Sequence, residues 1–222
     1  MKVIPIKPSD AEPWLMEKHY ARRMCPISYA FGLYENDQLI GVVTYGVPSS
    51  SALRKGICGP DYIKNVIELN RLCCDNRKNL ASLLVGRSLK LLPRPLIVVS
   101  YADIEQGHIG YVYQATNFIY TGLSAKRTDW KIKGKEHLHS ATIGDMSRGQ
   151  ENRAQWMRDK FGDDFYLKER SRKHRYIFFV GGKYQKKRML QDLNYEIEPY
   201  PKGKTFKYYA GESVKTQQLL FI

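Results

Sequence analysis

Apolar residues recur along this chain with two periods, and the switching between them predicts its elements. Val3 to Lys7 reads as a short strand, kept at an edge or irregular by Pro5. A helix follows, with Ser9 or Asp10 as cap and Pro13 in its first turn, and it carries Trp14, Leu15, Glu17, His19 and Tyr20. Tyr29–Tyr34 and Gln38–Tyr45 are β-rich runs separated by Glu35, Asn36 and Asp37, the pattern of a hairpin. Pro48 to Gly59, with three serines and two glycines, reads as a loop.

Val66–Cys74 (VIELNRLCC) alternates, which puts Glu68 and Asn70 on one strand face and Ile67, Leu69, Arg71 and Cys73 on the other. Asn79 then caps a helix in which Leu80, Leu83, Leu84 and Leu91 recur at helical spacing and which Pro93 stops. The apolar run LIVVS, Leu96–Ser100, predicts a central strand buried on both faces. A short helix over Gly110–Asn117 and a strand over Phe118–Gly122 complete a β–α–β–β–β–α–β–α–β order, hence a mixed sheet. After Gly122 the chain turns polar and basic. Residues 124–150 read as a long loop or an excursion of short strands. Gln150–Phe161 reads as a helix, Tyr176–Val180 as a strand, Gln185–Leu193 as a basic helix or turn, and the end from Pro199 as an extended arm.

Charge adds a partner to this outline. The 222 residues carry a formal net charge of +14. Residues 1–125 hold 14 basic and 10 acidic side chains, residues 126–210 hold 21 and 11, so the second half carries most of the excess. Such a surplus raises the encounter rate with polyanions. No stretch is apolar enough for a spanning helix, and the N-terminus MKVIPIKPSD lacks the apolar core of a secretory signal, so nucleic acid rather than membrane is the expected partner. Three clusters mix basic with aromatic residues or one another: Lys126, Arg127, Trp130, Lys131, Lys133 and Lys135; Lys168, Arg170, Arg172, Lys173 and Arg175; and Lys183, Lys186, Lys187 and Arg188. Phosphate contacts from such groups supply affinity for double-stranded DNA, not sequence choice. The four cysteines, Cys25, Cys58, Cys73 and Cys74, have no C-x-x-C spacing and suggest neither a zinc site nor a disulfide framework.

Candidate chemistry gathers at the ends of the predicted inner strands. Asp103 follows LIVVS, at the strand end where open α/β sheets build ligand sites, with Ser100 and Tyr101 on the same rim. His19 is a candidate base, because an unperturbed imidazole titrates near neutrality, and Tyr20 beside it can relay a proton or stack on a base. Arg71, in a partly buried strand, needs an anion or a carboxylate partner, and the alternation points Glu68 to the other face. His19, His108 and Asp103 would make a two-histidine, one-carboxylate metal site if they converged.

The segment Ser100 to Gly122, SYADIEQGHIGYVYQATNFIYTG, together with the His19–Tyr20 pair and the strand ending ELNRLCCD, resembles the Mom family of phage DNA-modification proteins, which are similar to the N-acetyltransferase (GNAT) fold. The resemblance covers roughly residues 1–180. It implies an α/β (α+β) chain with a GNAT-like mixed sheet flanked by helices over residues 1–180, including the basic excursion 124–150, and a basic C-terminal extension and tail over 181–222. It also implies conversion of adenine in phage DNA to N6-carbamoylmethyladenine in the host cytoplasm, which shields that DNA from host restriction enzymes. His19, Tyr20, Ser100, Asp103 and Tyr113 become the expected catalytic set. Tyr113 falls where acetyltransferases place a tyrosine that protonates a leaving thiolate, although Asn117 stands where that fold commonly has glycine.

The helix beginning after Asn79 takes the place of the pyrophosphate loop for coenzyme A, with Arg71, Arg77, Asn79 and Ser82 as candidate donor-binding residues. There the pattern Arg/Gln-x-x-Gly-x-Gly/Ala becomes Arg77-Lys78-Asn79-Leu80-Ala81-Ser82, and Leu80 replaces the first glycine. The donor therefore stays open between acetyl-CoA, a glycine derivative and an aminoacyl-tRNA, with or without a metal ion. A CoA-dependent N-acetyltransferase acting on a protein or small molecule and a non-enzymatic DNA-binding module stay open as well. Gln217, Leu220 and Phe221 near the end resemble the Gln-x-x-Leu-Phe motif that docks on the bacterial sliding clamp.

Overall fold

The computed structural model describes residues 1–138 and 140–203. Its described residues divide into two compact units, residues 1–123 with residues 173–203, and residues 124–172.

The first unit is built on a seven-stranded mixed sheet. Its strands are β1 (Lys2–Pro5), β2 (Tyr29–Glu35), β3 (Gln38–Gly46), β4 (Val66–Cys74), β5 (Leu96–Asp103), β6 (Ile119–Leu123) and β9 (Lys173–Val180), in the order β1-β2-β3-β4-β5-β9-β6. β7 and β8 belong to the second unit. Only β4 and β5 run parallel. The β2–β3 hairpin forms as the sequence predicts, with Asn36 and Asp37 at φ 47° and 61°, the left-handed pair of a tight hairpin turn. Helix α3 (Leu80–Leu91) lays Leu80, Leu84, Val85 and Leu89 on one face of the sheet against Tyr45, Leu69 and Val98. On the opposite face, α1 (Pro8–Pro13) and the turn after it bury Ala11, Trp14 and Leu15 against Val42 and Cys73. Beside them α2 (Ser51–Cys58) and α7 (Lys183–Gln191) pack Ile57 and Met189 against Ile97, Val99 and Phe179.

Several expectations are corrected here. The serine-rich run expected to be a loop contains α2, because Ser50 caps it by accepting from the Leu53 N–H at 3.2 Å and Ile57 and Cys58 anchor it in the core. The first helix ends before His19. Pro13 lacks the N–H that would continue the α ladder, and the chain passes through a π-helical turn, Trp14–Lys18, closed by His19 N–H on the Trp14 carbonyl at 2.9 Å. Asn79 precedes α3 as expected, but in the left-handed conformation and with no side-chain cap bond.

The boundary expected near residue 180 is not where the structure divides. β9 lies between β5 and β6 and α7 packs on the same sheet, so the segment from Lys173 is part of the first unit. Beyond α7, Glu198 N–H bonds the Tyr120 carbonyl at 3.0 Å and the Tyr200 hydroxyl bonds the Phe118 carbonyl at 2.6 Å. Residues 198–200 thus run along edge strand β6, while Asn194 is tied to α2 through the Ile57 carbonyl at 2.8 Å.

The second unit is longer than the expected 124–150 excursion. β7 (Arg127–Ile132) pairs antiparallel with β8 (Phe165–Arg170), a strand not expected from the sequence. Helices α5 (Ser140–Asp145) and α6 (Arg153–Phe161) close a small core of Ile132, Ile143 and Met157. Among the described residues no helix is long and apolar enough to cross a membrane. The clamp-like residues Gln217, Leu220 and Phe221 lie outside the described residues.

Candidate active site

Two neighbouring strands part at the centre of the first unit. β4 and β5 pair from Val66↔Ile97 to Leu69↔Ser100, after which β4 runs on to Cys74 and β5 to Asp103 without pairing. Ser100, fully buried, marks the parting and ties it by donating to the Leu69 carbonyl at 3.1 Å.

A β-bulge shapes the β4 side. Thr44 and Tyr45, adjacent in β3, face Arg71 and Leu69, which leaves Asn70 as the extra residue. Cross-strand partners share a face, so the bulge moves Arg71 to the face of Thr44, where Glu68 also lies. The sequence expectation that Glu68 and Arg71 face apart is thereby corrected. Asn70 pins the bulge: its Oδ1 accepts from Thr44 Oγ1 at 2.7 Å and its Nδ2 donates to the Pro26 carbonyl at 2.8 Å.

Around this parting the structure gathers His19, Tyr20, Glu68, Arg71, Ser100, Asp103, His108 and Tyr113. The His19 ring is 4% exposed and stacks on Tyr20 with centroids 4.4 Å apart, and Tyr20 meets His108 edge-on at 6.3 Å. Burial, then Arg71 and His108, push the His19 pKa down to about 3, so the ring is neutral at physiological pH. Its Nδ1 accepts the Ala21 N–H at 3.1 Å, which places the ring proton on Nε2. Burial, reinforced by Asp103 and opposed by Lys173 and Arg71, raises the Tyr20 pKa and keeps its hydroxyl protonated.

Asp103 caps the turn after β5 by accepting the Glu105 N–H at 3.1 Å and pairs with Lys173 at 2.9 Å, directly across on β9. His108 is held by its N–H on the Asp103 carbonyl at 3.0 Å, and burial lowers its pKa against the pull of Asp103. Tyr113, on α4 (Tyr111–Ala115), packs between Phe118 and Tyr176 at 5.3 Å from each. Burial raises its pKa against a hydrogen bond to Ser100, and Tyr20 and Glu68 raise it further. Glu68, a half-buried carboxyl, has its pKa raised by burial, against Arg71 and Lys173. Sequence reading did not place it in the site, because the bulge that turns Arg71 to its face leaves no mark in the alternation. Arg71 donates from Nη1 to its neighbour's carbonyl, Asn70 O, at 2.7 Å, while its buried Nε has no hydrogen-bond partner among the described residues.

The candidate donor residues divide. Arg77 is committed to Glu35 at 2.6 Å. Asn79 and Ser82 line a groove of about 640 Å³ that runs along α3, with Arg87, Lys90, Arg94 and Lys186 on its walls. His19, His108 and Asp103 do not form a metal centre: among the described residues no three His, Cys, Asp or Glu side chains group as ligands.

The candidate DNA-binding residues divide as well. Lys126, Arg127, Lys133 and Arg170 are exposed, Arg170 being held to Asp129. Trp130 packs edge-on against Phe165 in the core of the second unit, and Lys131 donates to the Glu136 and Leu138 carbonyls. Arg172 donates to the Ser124 carbonyl at 2.6 Å, Lys173 pairs with Asp103, and Arg175 bonds Thr121 while lying 3.4 Å over the Tyr195 ring.

A mixed sheet with one parallel pair that parts around polar side chains, flanked by helices on both faces, defines an α/β protein. Among solved structures the chain is similar to an N-acetyltransferase from Staphylococcus aureus Mu50, at 16% identity over 68% of this chain and 67% of that one, TM-score 0.36. It is also similar to the aminoglycoside 6'-N-acetyltransferase from Enterococcus faecium, at 9% identity over 82% and 99%, TM-score 0.43. The model of the Mom protein family matches residues 1–202, and the chain belongs to that family. A curated relative is the "Methylcarbamoylase mom" of Escherichia phage Mu, 29% identical over 195 residues that span 85% of this chain and 78% of the relative.

Proposed function

We propose that this protein is a phage DNA-modifying transferase that converts adenine in double-stranded DNA to N6-carbamoylmethyladenine in the host cytoplasm and so shields phage DNA from restriction. The observation that carries the reading is the gathering of Glu68, Tyr20, His19, Arg71 and Tyr113 where β4 and β5 part, in a chain whose phage Mu relative is named a methylcarbamoylase.

Each group has a task set by its environment. The N6 lone pair of adenine is delocalised into the ring, so a proton must leave N6 as the new N–C bond forms. Glu68 takes that proton, its raised pKa bringing it closer to neutrality than an ordinary carboxylate. Tyr20 and the His19 ring behind it give an aromatic surface for a base turned out of the duplex. The unpartnered Nε–H of Arg71 holds the oxygen of the transferred group. Tyr113, too weak an acid to give up its proton outright, donates a hydrogen bond to the charge that develops as the leaving group departs.

The donor must bring two carbons, an oxygen and a nitrogen on one leaving group, a composition that a glycyl derivative carries and that an acetyl group, as in acetyl-CoA, lacks. Asn79, Ser82, Arg87, Lys90 and Lys186 fit the charge of its anionic part. Mass spectrometry of nucleosides from DNA propagated with the protein tests the reading. The modified adenine with the wild type, and its loss with Glu68→Gln, is the expected result, whereas ordinary adenine alone at good expression would refute it.

A further inference from the structure

Two strands of the second unit present unlike faces. Side chains alternate along β7 and β8, and cross-strand partners share a face. One face carries the rungs Ile132↔Phe165, Trp130↔Leu167 and Thr128↔Glu169; its Ile132, Phe165 and Trp130 close over Ile143 and Met157, while Thr128, Leu167 and Glu169 are exposed. The other carries Arg127↔Arg170, Asp129↔Lys168 and Lys131↔Tyr166. Four cations and one carboxylate leave that face at +3, and Arg127, Lys168 and Arg170 are exposed. Asp129 accepts from Arg170 Nε at 2.9 Å and Nη2 at 2.5 Å, a cross-strand fork that holds the guanidinium on this face. Three of the four cations, Arg127, Lys168 and Arg170, cluster toward the end of the ribbon where the chain enters at Ser124 and leaves at Arg172, away from Ile132, whose main chain joins the turn at Lys133–Lys135.

We infer that the β7–β8 ribbon is the element that docks duplex DNA, laying its Arg127–Lys168–Arg170 face into the major groove. The inference rests on the reading above that DNA is the substrate, and it deepens that reading by assigning docking to a different compact unit from the candidate chemistry. The major groove, about 12 Å wide, admits a two-stranded ribbon, and successive same-face rungs lie about 7 Å apart, so cations recur along the groove walls. The Ile132, Phe165 and Trp130 part of the reverse face is already used by α5 and α6, and the exposed Thr128↔Glu169 rung there brings a carboxylate and no cation, which leaves the cationic face as the one whose charge complements a polyanion. Lys168 and Tyr166 join the contact surface. Trp130, Arg172, Lys173 and Arg175, occupied within the protein, leave it.

The test is fluorescence anisotropy of the full chain on a labelled duplex across a salt series. The variants are Arg127→Glu/Lys168→Glu, the milder Arg127→Ala/Lys168→Ala, and Arg94→Glu on the α3 groove, each checked for a wild-type thermal melt. Loss of two phosphate contacts predicts a salt slope reduced by about 2 and roughly 10- to 100-fold weaker binding for both ribbon variants, with the groove variant unchanged. Wild-type affinity and slope in the folded alanine variant, loss carried by the groove variant instead, or equal affinity for a single strand of the same length would overturn the inference. Nucleoside mass spectrometry separates the two ideas. If ribbon variants modify and bind DNA as the wild type does, only the ribbon assignment fails. If the wild type binds duplex through the ribbon yet leaves adenine unaltered, only the modification reading fails.

Discussion

The buried His19 ring makes the protein acid-sensitive by a calculable amount. Its folded-state pKa is about 3 against an ordinary 6.5, so between those values the unfolded chain binds a proton that the folded chain does not. Stability from this residue is fully present above pH 6.5, is lost as pH falls through that window, and stops falling below about pH 3, where both states are protonated. Each pH unit inside the window is worth 1.36 kcal/mol, so about 2 units below the ordinary value, near pH 4.5, the loss is about 3 kcal/mol. That is a large fraction of the 5–15 kcal/mol by which domains are typically stable.

His19→Asn isolates the effect. Its amide oxygen can still accept the Ala21 N–H, but it does not titrate. His108 and His174, also lowered by burial, remain in both proteins and cancel in the comparison. Urea unfolding at pH 7 and 4.5 should show the wild type losing about 3 kcal/mol more than the variant, whatever the variant's starting stability. Equal losses in the two proteins, or an NMR titration in which the His19 ring protonates near pH 6, would refute the reasoning.

Glu68→Gln removes a carboxyl whose raised pKa marks its ionised form as disfavoured by burial. Modified adenine should fall by roughly 10²- to 10⁴-fold while the melting temperature holds or rises. Tyr113→Phe should lower modification by about 10²-fold, and a circular-dichroism melt should show a loss near 1 kcal/mol, the worth of its hydrogen bond to Ser100. Gly46→Ala would drive a methyl into the Pro26 carbonyl and against Asn70, the residue that pins the β4 bulge. A loss of about 1–3 kcal/mol in denaturant melts is expected, together with weakened modification.

The strands at the heart of the fold were legible because their signals are local and strong. LIVVS became the first five residues of β5, VIELNRLCC became β4 to the residue, and Asn36–Asp37 became the hairpin turn. The site was legible to the extent that its residues sit at the ends of those strands. Asp103, Ser100 and Tyr113 meet around the parting of β4 and β5, and His19–Tyr20 reaches it from the other end of the chain.

What the pattern concealed has physical causes. One extra residue in a strand inverts every later side chain, and nothing in the alternation marks Asn70 as that residue. A helix such as α2 wins its register from tertiary burial of Ile57 and Cys58, against a serine- and glycine-rich sequence. Nor does a count of positive residues distinguish Arg127, which faces solvent, from Arg175, which is spent on Thr121 and Tyr195.

The second unit leaves and rejoins the first through adjacent strands. Leu123 pairs with His174, and the Arg172 guanidinium clasps the Ser124 carbonyl, so entry and exit sit side by side like the two ends of a hairpin. An insertion with neighbouring ends demands nothing of the host sheet's connectivity, and loop length costs little in free energy. Evolution can therefore exchange this module for another, or reduce it to a tight turn, while the strands that frame the candidate reaction centre keep their order.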